Sequence, residues 1–289
     1  MTRARCPASR RQLPGEPGHS VSQAGRVALV TGAARGIGAA TVLALAAQGW
    51  SVLAVDRAAS DPDIPYPLAT YADLADAAAQ ASAAAGQPDR VATFIADVRD
   101  AAEIEAAVAE AETRWGGLDA AIACAGVIAG GVRQWEVPPE RERAVIDVDL
   151  GGVLNLARAA IPALLRRPPP RSGRFLAVSS AGATRGLPML AAYCAAKAGV
   201  AGLIRALAAE LGPSGVTANA VSPGSTATAM LTESARLYGL NGADDFARSQ
   251  PAGRLLDPAE IAAMLVFLAS PASSGMTGAI IPVDGGLAL

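Results

Sequence analysis

The chain has 289 residues, a length that fits one large domain or two small ones and allows a substantial core. Hydrophobic residues make up 52% of it and charged residues 17%, which predicts a globular protein. A net charge of −2 gives no electrostatic reason to bind nucleic acid or an anionic membrane, and no uninterrupted apolar run reaches the ~18 residues of a membrane span. Three cysteines without a CxxC spacing predict neither a disulfide framework nor a zinc site, and a reducing cytoplasm fits them best.

The first 25 residues differ in composition from the rest. They carry four arginines among prolines and glycines and lack an apolar h-region, so they do not form a secretory signal. We expect residues 1–25 to be a disordered extension, although a misassigned upstream start codon would explain them equally well. The only histidine, His19, falls in this segment, which removes histidine metal sites and a histidine general base from consideration. The folded domain is predicted to span residues 26–289 and to hold no metal.

A glycine-rich turn opens the folded part. Residues 27–30 predict a short buried strand, and the run TGAARGIG at 31–38 leads from it into a helix that ends near Ala47. Backbone N–H groups in such a turn, together with the helix dipole, can face a pyrophosphate. The spacing is GxxxGxG rather than the commoner GxGxxG, and a lone glycine loop is weak evidence because glycines serve any tight turn. Here the strand–turn–helix context agrees with a dinucleotide site.

The second strand, 51–55, ends at Asp56. A carboxylate about 20 residues beyond the glycine turn accepts hydrogen bonds from the adenosine ribose hydroxyls and repels a 2′-phosphate, which predicts NAD rather than NADP. Arg35 and Arg57 argue weakly for NADP, because either could meet a phosphate. We give the acid more weight, since it would stand where the phosphate must lie.

A segment with three prolines, residues 58–71, separates this strand from the next helix and is called the insertion below. The prolines forbid regular structure there. Two interpretations stay open: a plain surface loop, or a flap beside the adenosine end of a ligand.

The third and fourth strands, 91–96 and 120–123, end in residues that could touch a cofactor. The acid and valine after the third strand are placed to contact adenine. The small residues after the fourth let the backbone approach a cofactor, or else reflect tight helix packing. These four residues are Asp97, Val98, Ala125 and Gly126.

The residues with the clearest chemistry are Ser180, Tyr193 and Lys197. Ser180 follows the predicted strand 175–178, while Tyr193 and Lys197 are four apart in an alanine-rich helix and so share one face. A nearby cation favours the phenolate of a tyrosine, which brings its pKa of ~10 into range for acid–base work. Lys197 is the only lysine in the chain, where every other basic residue except His19 is an arginine. We conclude that the compact ammonium is required at this position.

The C-terminal part continues the alternation of strands and helices. A strand at 216–221 leads into SPGSTAT at 222–228, and the segment 230–250 predicts either a mobile lid over an apolar substrate or a plain surface helix pair. A hydrophobic, cyclic or terpenoid alcohol fits the apolar residues near the site, which are Leu187, Met189, Leu190, Met230, Leu231 and Tyr238.

About seven short strands alternate with helices along the chain, without an internal repeat. This pattern predicts a single-domain α/β Rossmann fold: a doubly wound, seven-stranded parallel sheet with helices on both faces. In that architecture the carboxyl ends of the strands bind the ligand, and the residues named above fall there.

These motifs, in their order along the chain, resemble the short-chain dehydrogenase/reductase family. The likeness covers Arg26 to the C-terminus and is specific because several motifs stand in register. The motifs that carry it are TGAARGIG, Asp56, Asp97-Val98, the Ser180, Tyr193 and Lys197 set, SPGSTAT, and TGAIIPVDGG at 277–286.

The resemblance implies a role for each of these residues. Tyr193 would be the general acid/base, Lys197 would lower its pKa and hold the nicotinamide ribose, and Ser180 would orient the substrate oxygen. An alcohol or ketone would be the substrate. By the same resemblance Gly32, Gly36, Ile37 and Gly38 wrap the pyrophosphate, and Pro223, Gly224, Thr226 and Thr228 meet the nicotinamide carboxamide.

The insertion and its surroundings, IPYPLATYADL, are most similar to the subgroup coupled to mycofactocin, a peptide-derived redox cofactor. That likeness implies an NAD bound so tightly that it does not exchange, with mycofactocin as the external electron acceptor. Relatives also associate as tetramers through long helices, so we expect a homotetramer formed by the alanine-rich faces of 140–165 and 190–211.

Two residues depart from the family pattern. Asp149, in a helix predicted over 141–166, replaces an asparagine thought to hold a water in a proton relay to the lysine. Its negative charge should raise the pKa of Tyr193. Cys124 replaces another asparagine, which we interpret as a packing change.

Four rival functions deserve comparison. A non-catalytic dinucleotide-binding sensor or partner subunit is conceivable because of Asp149, but it would not require the Ser180, Tyr193 and Lys197 set. An NADPH-dependent ketone reductase is the alternative if the arginines bind a phosphate. An enoyl reductase is disfavoured because that subgroup spaces its tyrosine and lysine more widely, and a sugar epimerase is disfavoured by the GxxxGxG spacing and the short C-terminal part.

Overall fold

Seven parallel strands form one sheet in the order β3-β2-β1-β4-β5-β6-β7. The structure is a computed structural model and describes residues 25–289, so the expectations for the extension, Cys6 and His19 lie outside the described residues. The order of the strands reverses between β1 and β4, and such a switch point opens a crevice at the carboxyl ends of the strands. The strands are β1 Val27–Thr31, β2 Ser51–Asp56, β3 Val91–Ile95, β4 Ala120–Ala123, β5 Arg174–Val178, β6 Thr217–Pro223 and β7 Ile280–Val283.

Helices cover both faces of the sheet, so the predicted doubly wound fold is confirmed. Helices α3, α5 and α6 pack on one face, and α1, α2 and α8 pack on the other. The helices are α1 Gly36–Ala47, α2 Tyr71–Ala85, α3 Ala101–Trp115, α4 Pro139–Ile146, α5 Gly152–Arg166, α6 Ala191–Leu211, α7 Ala229–Leu237 and α8 Pro258–Ala269.

Alternate residues of each strand serve the two cores. In β1, Val27 and Leu29 join the core under α3, α5 and α6, whereas Ala28 and Val30 join the core under α1, α2 and α8. Side chains point to opposite faces along a strand, so a strand covered on both sides must be apolar throughout. This explains the short unbroken apolar runs that predicted the strands.

The helix predicted over residues 141–166 is not continuous. It begins at Pro139 and is interrupted by a π-helical turn at Asp147–Gly151 before α5 starts. Two adjacent glycines, Gly151 and Gly152, weaken regular helix there, and a Cβ on Gly152 would lie 2.6 Å from Val98 Cγ2. The wider turn carries Asp149 into the interior, where its exposed fraction is 0%.

By length and composition alone, two helical stretches of the described chain, Pro139–Arg166 and Ala191–Ser214, could cross a membrane. The core helix of a soluble protein passes the same test. One face of each contributes to the core under α3, α5 and α6. We therefore interpret them as parts of this fold.

Replacing Ile122 by valine should lower the free energy of unfolding by about 0.5–1.5 kcal/mol, because Ile122 is fully buried in central strand β4 and the change leaves a small cavity. The control is the same substitution at Ile95, which is 49% exposed in edge strand β3. There we expect the free energy of unfolding to change by no more than about 0.5 kcal/mol. Urea unfolding of both variants measures the difference. Equal losses at the two positions would contradict the assignment of β4 to the centre.

Candidate active site

A single cleft of about 650 Å³ runs along the carboxyl ends of the strands. The cleft is lined by residues of the glycine turn, the ends of β2 to β6, the insertion and α7. Asp149 is the one predicted site residue that lies behind the cleft wall. The predicted residues that line it are Gly32, Arg35, Gly36, Ile37, Gly38, Asp56, Arg57, Asp97, Val98, Ala125, Gly126, Ser180, Tyr193, Lys197, Pro223, Gly224, Thr226 and Thr228.

The glycine turn leaves no room for side chains. A Cβ on Gly38 would lie 2.0 Å from the Gly32 carbonyl oxygen, and one on Gly32 would lie 2.6 Å from the backbone of Ala125. Gly36 has a left-handed φ of +57°, which glycine adopts readily. The turn therefore brings bare backbone and the N-terminus of α1 to the cleft, a cradle that fits a pyrophosphate.

The substitution Gly38→Ala should weaken dinucleotide binding by about 10- to 100-fold, because overpacking of this kind costs about 1–3 kcal/mol. The turn must open to admit the Cβ beside the Gly32 carbonyl. Gly202→Ala is the matched control: Gly202 is also helical, but a Cβ there meets nothing within 4 Å. Calorimetric titration of the dinucleotide-free variants with NAD compares the two, and equal affinities would argue against the cradle.

Asp56 ends β2 with its carboxylate anchored by two backbone donors. Oδ2 accepts from the Ala34 amide at 3.1 Å and Oδ1 from the Ala58 amide at 3.0 Å. These bonds fix the carboxylate beside the glycine turn, where the second lone pair of each oxygen can accept from ribose hydroxyls.

The two arginines that argued for NADP are already engaged. Arg35 donates from Nη1 to the Pro67 carbonyl at 3.0 Å, and its guanidinium lies 6.0 Å from the centre of the Tyr66 ring. Arg57 pairs with Asp61 at 2.5 Å. All three partners belong to the insertion, so this segment engages both guanidinium groups where they line the cleft.

The catalytic candidates meet where β5 faces α6. Ser179 donates from Oγ to the Lys197 carbonyl at 3.0 Å, and Lys197 donates from Nζ to the Val178 carbonyl at 3.2 Å, so the two elements are fastened together. Lys197 Nζ lies 5.7 Å from the centre of the Tyr193 ring. Ser180 Oγ accepts from the Gly182 amide at 3.0 Å and faces the phenol.

Asp149 forms a buried ion pair with Lys197. Its Oδ2 lies 3.2 Å from Nζ, and its Oδ1 accepts from the Val127 amide at 2.8 Å. A Cβ on Gly126 would lie 3.3 Å from Nζ and 3.4 Å from Oδ2, so the chain after β4 passes directly over the pair. The small residue at 126 is therefore explained by this pair as well as by an approaching cofactor.

Burial and the local charges oppose one another at the phenol. Burial raises the pKa of Tyr193, the Lys197 ammonium lowers it, the Asp149 carboxylate raises it again, and the hydrogen bond with Ser180 lowers it; the sum is a raised pKa. Burial alone would lower the pKa of Lys197, but the attraction of Asp149 and Tyr193 outweighs it and the pKa is raised. Burial also raises the pKa of Asp149 against the pull of Lys197. The Asp149 carboxylate therefore stabilises the Lys197 ammonium. It also makes the Tyr193 phenolate less favourable than it would be if Lys197 stood there without a neighbouring acid.

The insertion is packed against the domain at both ends of the cleft, which the sequence left undecided. Ile64 is buried in a cluster that includes Val127, Ile128 and Tyr193. The Ile128 amide donates to the Tyr66 hydroxyl at 3.3 Å, and burial raises the pKa of Tyr66 to about 12. The insertion is therefore a flap, and it reaches the catalytic side as well as the adenosine end.

Five of the six apolar residues expected near the substrate line the cleft, and Met189 does not. Met189 adopts a left-handed φ of 63°, and its carbonyl accepts from the Gly131 amide at 3.2 Å. Helix α7 and the short helix Ala243–Ser249 occupy the segment for which a lid or a surface helix pair was predicted, and the Tyr238 hydroxyl donates to the Pro188 carbonyl at 2.7 Å. Four cleft residues were not predicted individually: Asp61 in the insertion, Arg99 directly after Val98, and Arg185 and Leu287, for which no motif gave a signal.

Comparison with known proteins identifies the group to which this architecture belongs. A family model described as "Enoyl-(Acyl carrier protein) reductase" matches residues 32–288. The short-chain reductase protein NovJ of Streptomyces niveus is 40% identical over 269 residues, which cover 90% of this chain and 93% of that protein. The chain belongs to the short-chain dehydrogenase/reductase family. Members named as its relatives are dehydrogenases and reductases of alcohols and ketones, so this short-chain dehydrogenase/reductase is an oxidoreductase of that kind.

Two solved structures of this family show the dinucleotides that close neighbours bind. Carveol dehydrogenase from Mycobacterium avium, in complex with NAD, superposes with a TM-score of 0.85 at 34% identity and covers 91% of this chain and 98% of its own. A variant of actinorhodin polyketide ketoreductase with NADPH gives a TM-score of 0.81 at 30% identity and covers 91% and 97%. Both dinucleotides thus occur among the neighbours of this short-chain dehydrogenase/reductase.

Proposed function

We propose that this protein is an NAD-dependent dehydrogenase of hydrophobic secondary alcohols, or a ketone reductase in the reverse direction. The observation that carries the proposal is the position of Ser180, Tyr193 and Lys197 in one cleft with the glycine turn. A dinucleotide-binding sensor or partner subunit would need the turn but not three proton-handling groups beside it. The catalytic hypothesis therefore accounts for more of the residues.

The residues present fit an NAD molecule. The turn at Gly32, Gly36 and Gly38 leaves space only for backbone, and Asp56 offers fixed acceptors at the ribose position. Arg35 and Arg57 are bound by the insertion, which weakens the case for an NADPH-dependent reductase. When bound, NAD supplies the nicotinamide carbon that takes the hydride from the alcohol carbon.

Each of the three site residues then has a role in the oxidation. Tyr193 takes the proton of the substrate hydroxyl, because its phenolate is favoured by the Lys197 ammonium. Ser180 donates to the substrate oxygen and so fixes its direction. Lys197 also supplies donors for ribose hydroxyls, and in ketone reduction Tyr193 returns the proton.

The substrate end of the cleft favours an apolar, ring-sized alcohol. Its walls come from Leu187, Leu190, Met230, Leu231 and Tyr238. Burying a hydrocarbon ring against apolar walls is favourable, whereas the same walls offer few hydrogen bonds for the hydroxyls of a sugar. A relative named carveol dehydrogenase supports the same substrate class.

Coupling to mycofactocin is the finer part of the proposal. The insertion covers both ends of the cleft through Ile64, Tyr66 and Asp61, so an NAD beneath it would leave slowly. A dinucleotide that does not exchange needs an external acceptor, for which we propose mycofactocin. Native mass spectrometry of the purified protein should detect bound NAD, and a protein free of dinucleotide would argue against retention.

The assay for the function measures NADH formation, or reduction of an artificial dye if NAD is retained, on a panel of secondary alcohols. Tyr193→Phe should abolish turnover while dinucleotide binding persists. Tyr71→Phe is the matched control, because Tyr71 is 62% exposed and starts α2. If no alcohol or ketone reacts faster with the natural protein than with Tyr193→Phe, the binding-subunit hypothesis replaces the enzymatic one.

We further propose a cytoplasmic homotetramer. The outer face of α5 carries Leu154 at 42% exposure, an apolar side chain suited to an interface between copies. Light scattering measures the assembly directly, and a monomer would refute this part.

A further inference from the structure

Four charged residues lie together at the adenosine end of the cleft, next to Asp56. Arg57 follows β2, Asp97 and Arg99 follow β3, and Asp61 comes from the insertion. An arginine at this place is the usual partner of a 2′-phosphate, because its guanidinium donates two parallel hydrogen bonds to phosphate oxygens. The two arginines could therefore form a phosphate site that the NAD assignment would not expect.

Both guanidinium groups are occupied by carboxylates. Asp61 Oδ2 lies 2.5 Å from Arg57 Nη1 and 2.9 Å from Arg99 Nη2. Asp97 Oδ2 lies 2.6 Å from Arg99 Nη2 and 3.3 Å from Arg57 Nε. Two positive and two negative charges cancel in this cluster, so no net attraction for a phosphate remains.

Asp61 differs from Asp97 in its origin and its burial. Its side chain is 3% exposed, against 22% for Asp97, and its Oδ1 accepts from the Asp63 amide at 2.9 Å. Neighbouring prolines and the buried Ile64 hold the segment in place. The insertion thus delivers a fixed carboxylate to two arginines that the rest of the domain provides.

We infer that Asp61 is a specificity-determining residue: it neutralises Arg57 and Arg99 and so prevents the cleft from accepting a dinucleotide with a 2′-phosphate. This deepens the proposed function and rests on its assignment of NAD. Asp56 disfavours the phosphate by standing in its place, whereas Asp61 disfavours it by removing the cations that would hold it. Without Asp61, Asp97 alone would pair with the two arginines, and one net positive charge would remain beside the glycine turn for the 2′-phosphate.

The test is the variant Asp61→Asn. An asparagine Oδ1 can still accept from the Asp63 amide, so the turn is kept, while its amide nitrogen cannot pair with Arg57 or Arg99. Asp63→Asn makes the same change of charge in the same segment. Among residues 25–289 Asp63 forms no ion pair with either arginine and does not line the cleft, so it is the matched control.

Each protein is first freed of any co-purified dinucleotide and then incubated with equimolar NAD and NADP, and native mass spectrometry measures the ratio of the two bound forms. Asp61→Asn should raise the NADP to NAD ratio at least tenfold over the natural protein, and Asp63→Asn should leave it within twofold. Adding Arg99→Met to Asp61→Asn should remove most of the gain. A ratio in Asp61→Asn equal to that of the control would overturn the inference.

A second variant covers the case in which Asp61→Asn does not fold. Arg99→Met in the natural background should leave the ratio within twofold, because Arg99 is already paired; a tenfold fall in NADP binding would show that Arg99 is free for phosphate and would overturn the inference. The natural protein separates the two proposals. If the natural protein prefers NADP, the assignment of NAD is wrong. If it prefers NAD and Asp61→Asn has the same NADP to NAD ratio, only the role of Asp61 is wrong.

Discussion

Replacing Lys197 by methionine is expected to lower kcat/KM for alcohol oxidation by about 10²- to 10⁴-fold, the range that positioned acid–base groups contribute. Methionine keeps the length of the side chain but removes the ammonium, which counteracts the rise that burial causes in the pKa of Tyr193. The phenolate then becomes rarer at neutral pH. The pH at which oxidation reaches half its maximum should therefore move upward.

The control for Lys197→Met is Arg205→Met. Arg205 is an exposed cation on the same helix α6, eight positions further along, and its loss should leave kcat/KM and the pH profile unchanged. Thermal unfolding checks that both variants are folded. If Lys197→Met retains activity within tenfold of the natural protein, the ammonium does not activate the phenol.

The second large effect is expected from Asp149→Asn. The carboxylate raises the pKa of Tyr193 through its charge, so a neutral amide should lower it. Oxidation needs the phenolate, and its pH–rate profile should move toward lower pH, with faster turnover at neutral pH. The asparagine Oδ1 can keep the hydrogen bond from the Val127 amide, which preserves the wall of the cleft.

The pH dependence separates this effect from a structural one. A merely loosened site would lower kcat at every pH without moving the profile. Asp147→Asn is the matched control, since Asp147 belongs to the same π-helical turn but forms no ion pair with Lys197 in the part of the chain that the structure describes. Coincident profiles for Asp149→Asn and the natural protein would show that the charge has no influence on the phenol.

Local patterns in the sequence predicted most of the fold. Strands, the glycine turn and the pair Tyr193 and Lys197 depend on residues within about one helical turn or one strand of each other, so spacing alone reveals them. The seven-stranded sheet followed from the same alternation and is confirmed. The π-helical turn was missed because a pair of glycines predicts weakened helix, but not how the helix rewinds around a buried acid.

The contacts of the insertion could not be predicted in the same way. Its prolines remove periodicity, and its partners lie far away in the sequence: Arg35 for Pro67, Ile128 for Tyr66, and Arg99 for Asp61. Such pairs depend on how the chain returns to the sheet edge, which a single sequence does not encode in any local pattern. That Met189 does not line the cleft was equally unpredictable, because no local pattern indicates the left-handed φ of this residue.

The single lysine has a consequence for the chemistry of the folded surface. Lys197 is 3% exposed, and the sequence has no other lysine, so acylating and crosslinking reagents that require a side-chain amine find none accessible in the native protein. Labelling of Lys197 requires either a reagent that enters the cleft, which this residue lines, or separation of helix α6 from the end of β5. With a reagent too large for the cleft, the extent of amine labelling at this position therefore measures how often the molecule opens.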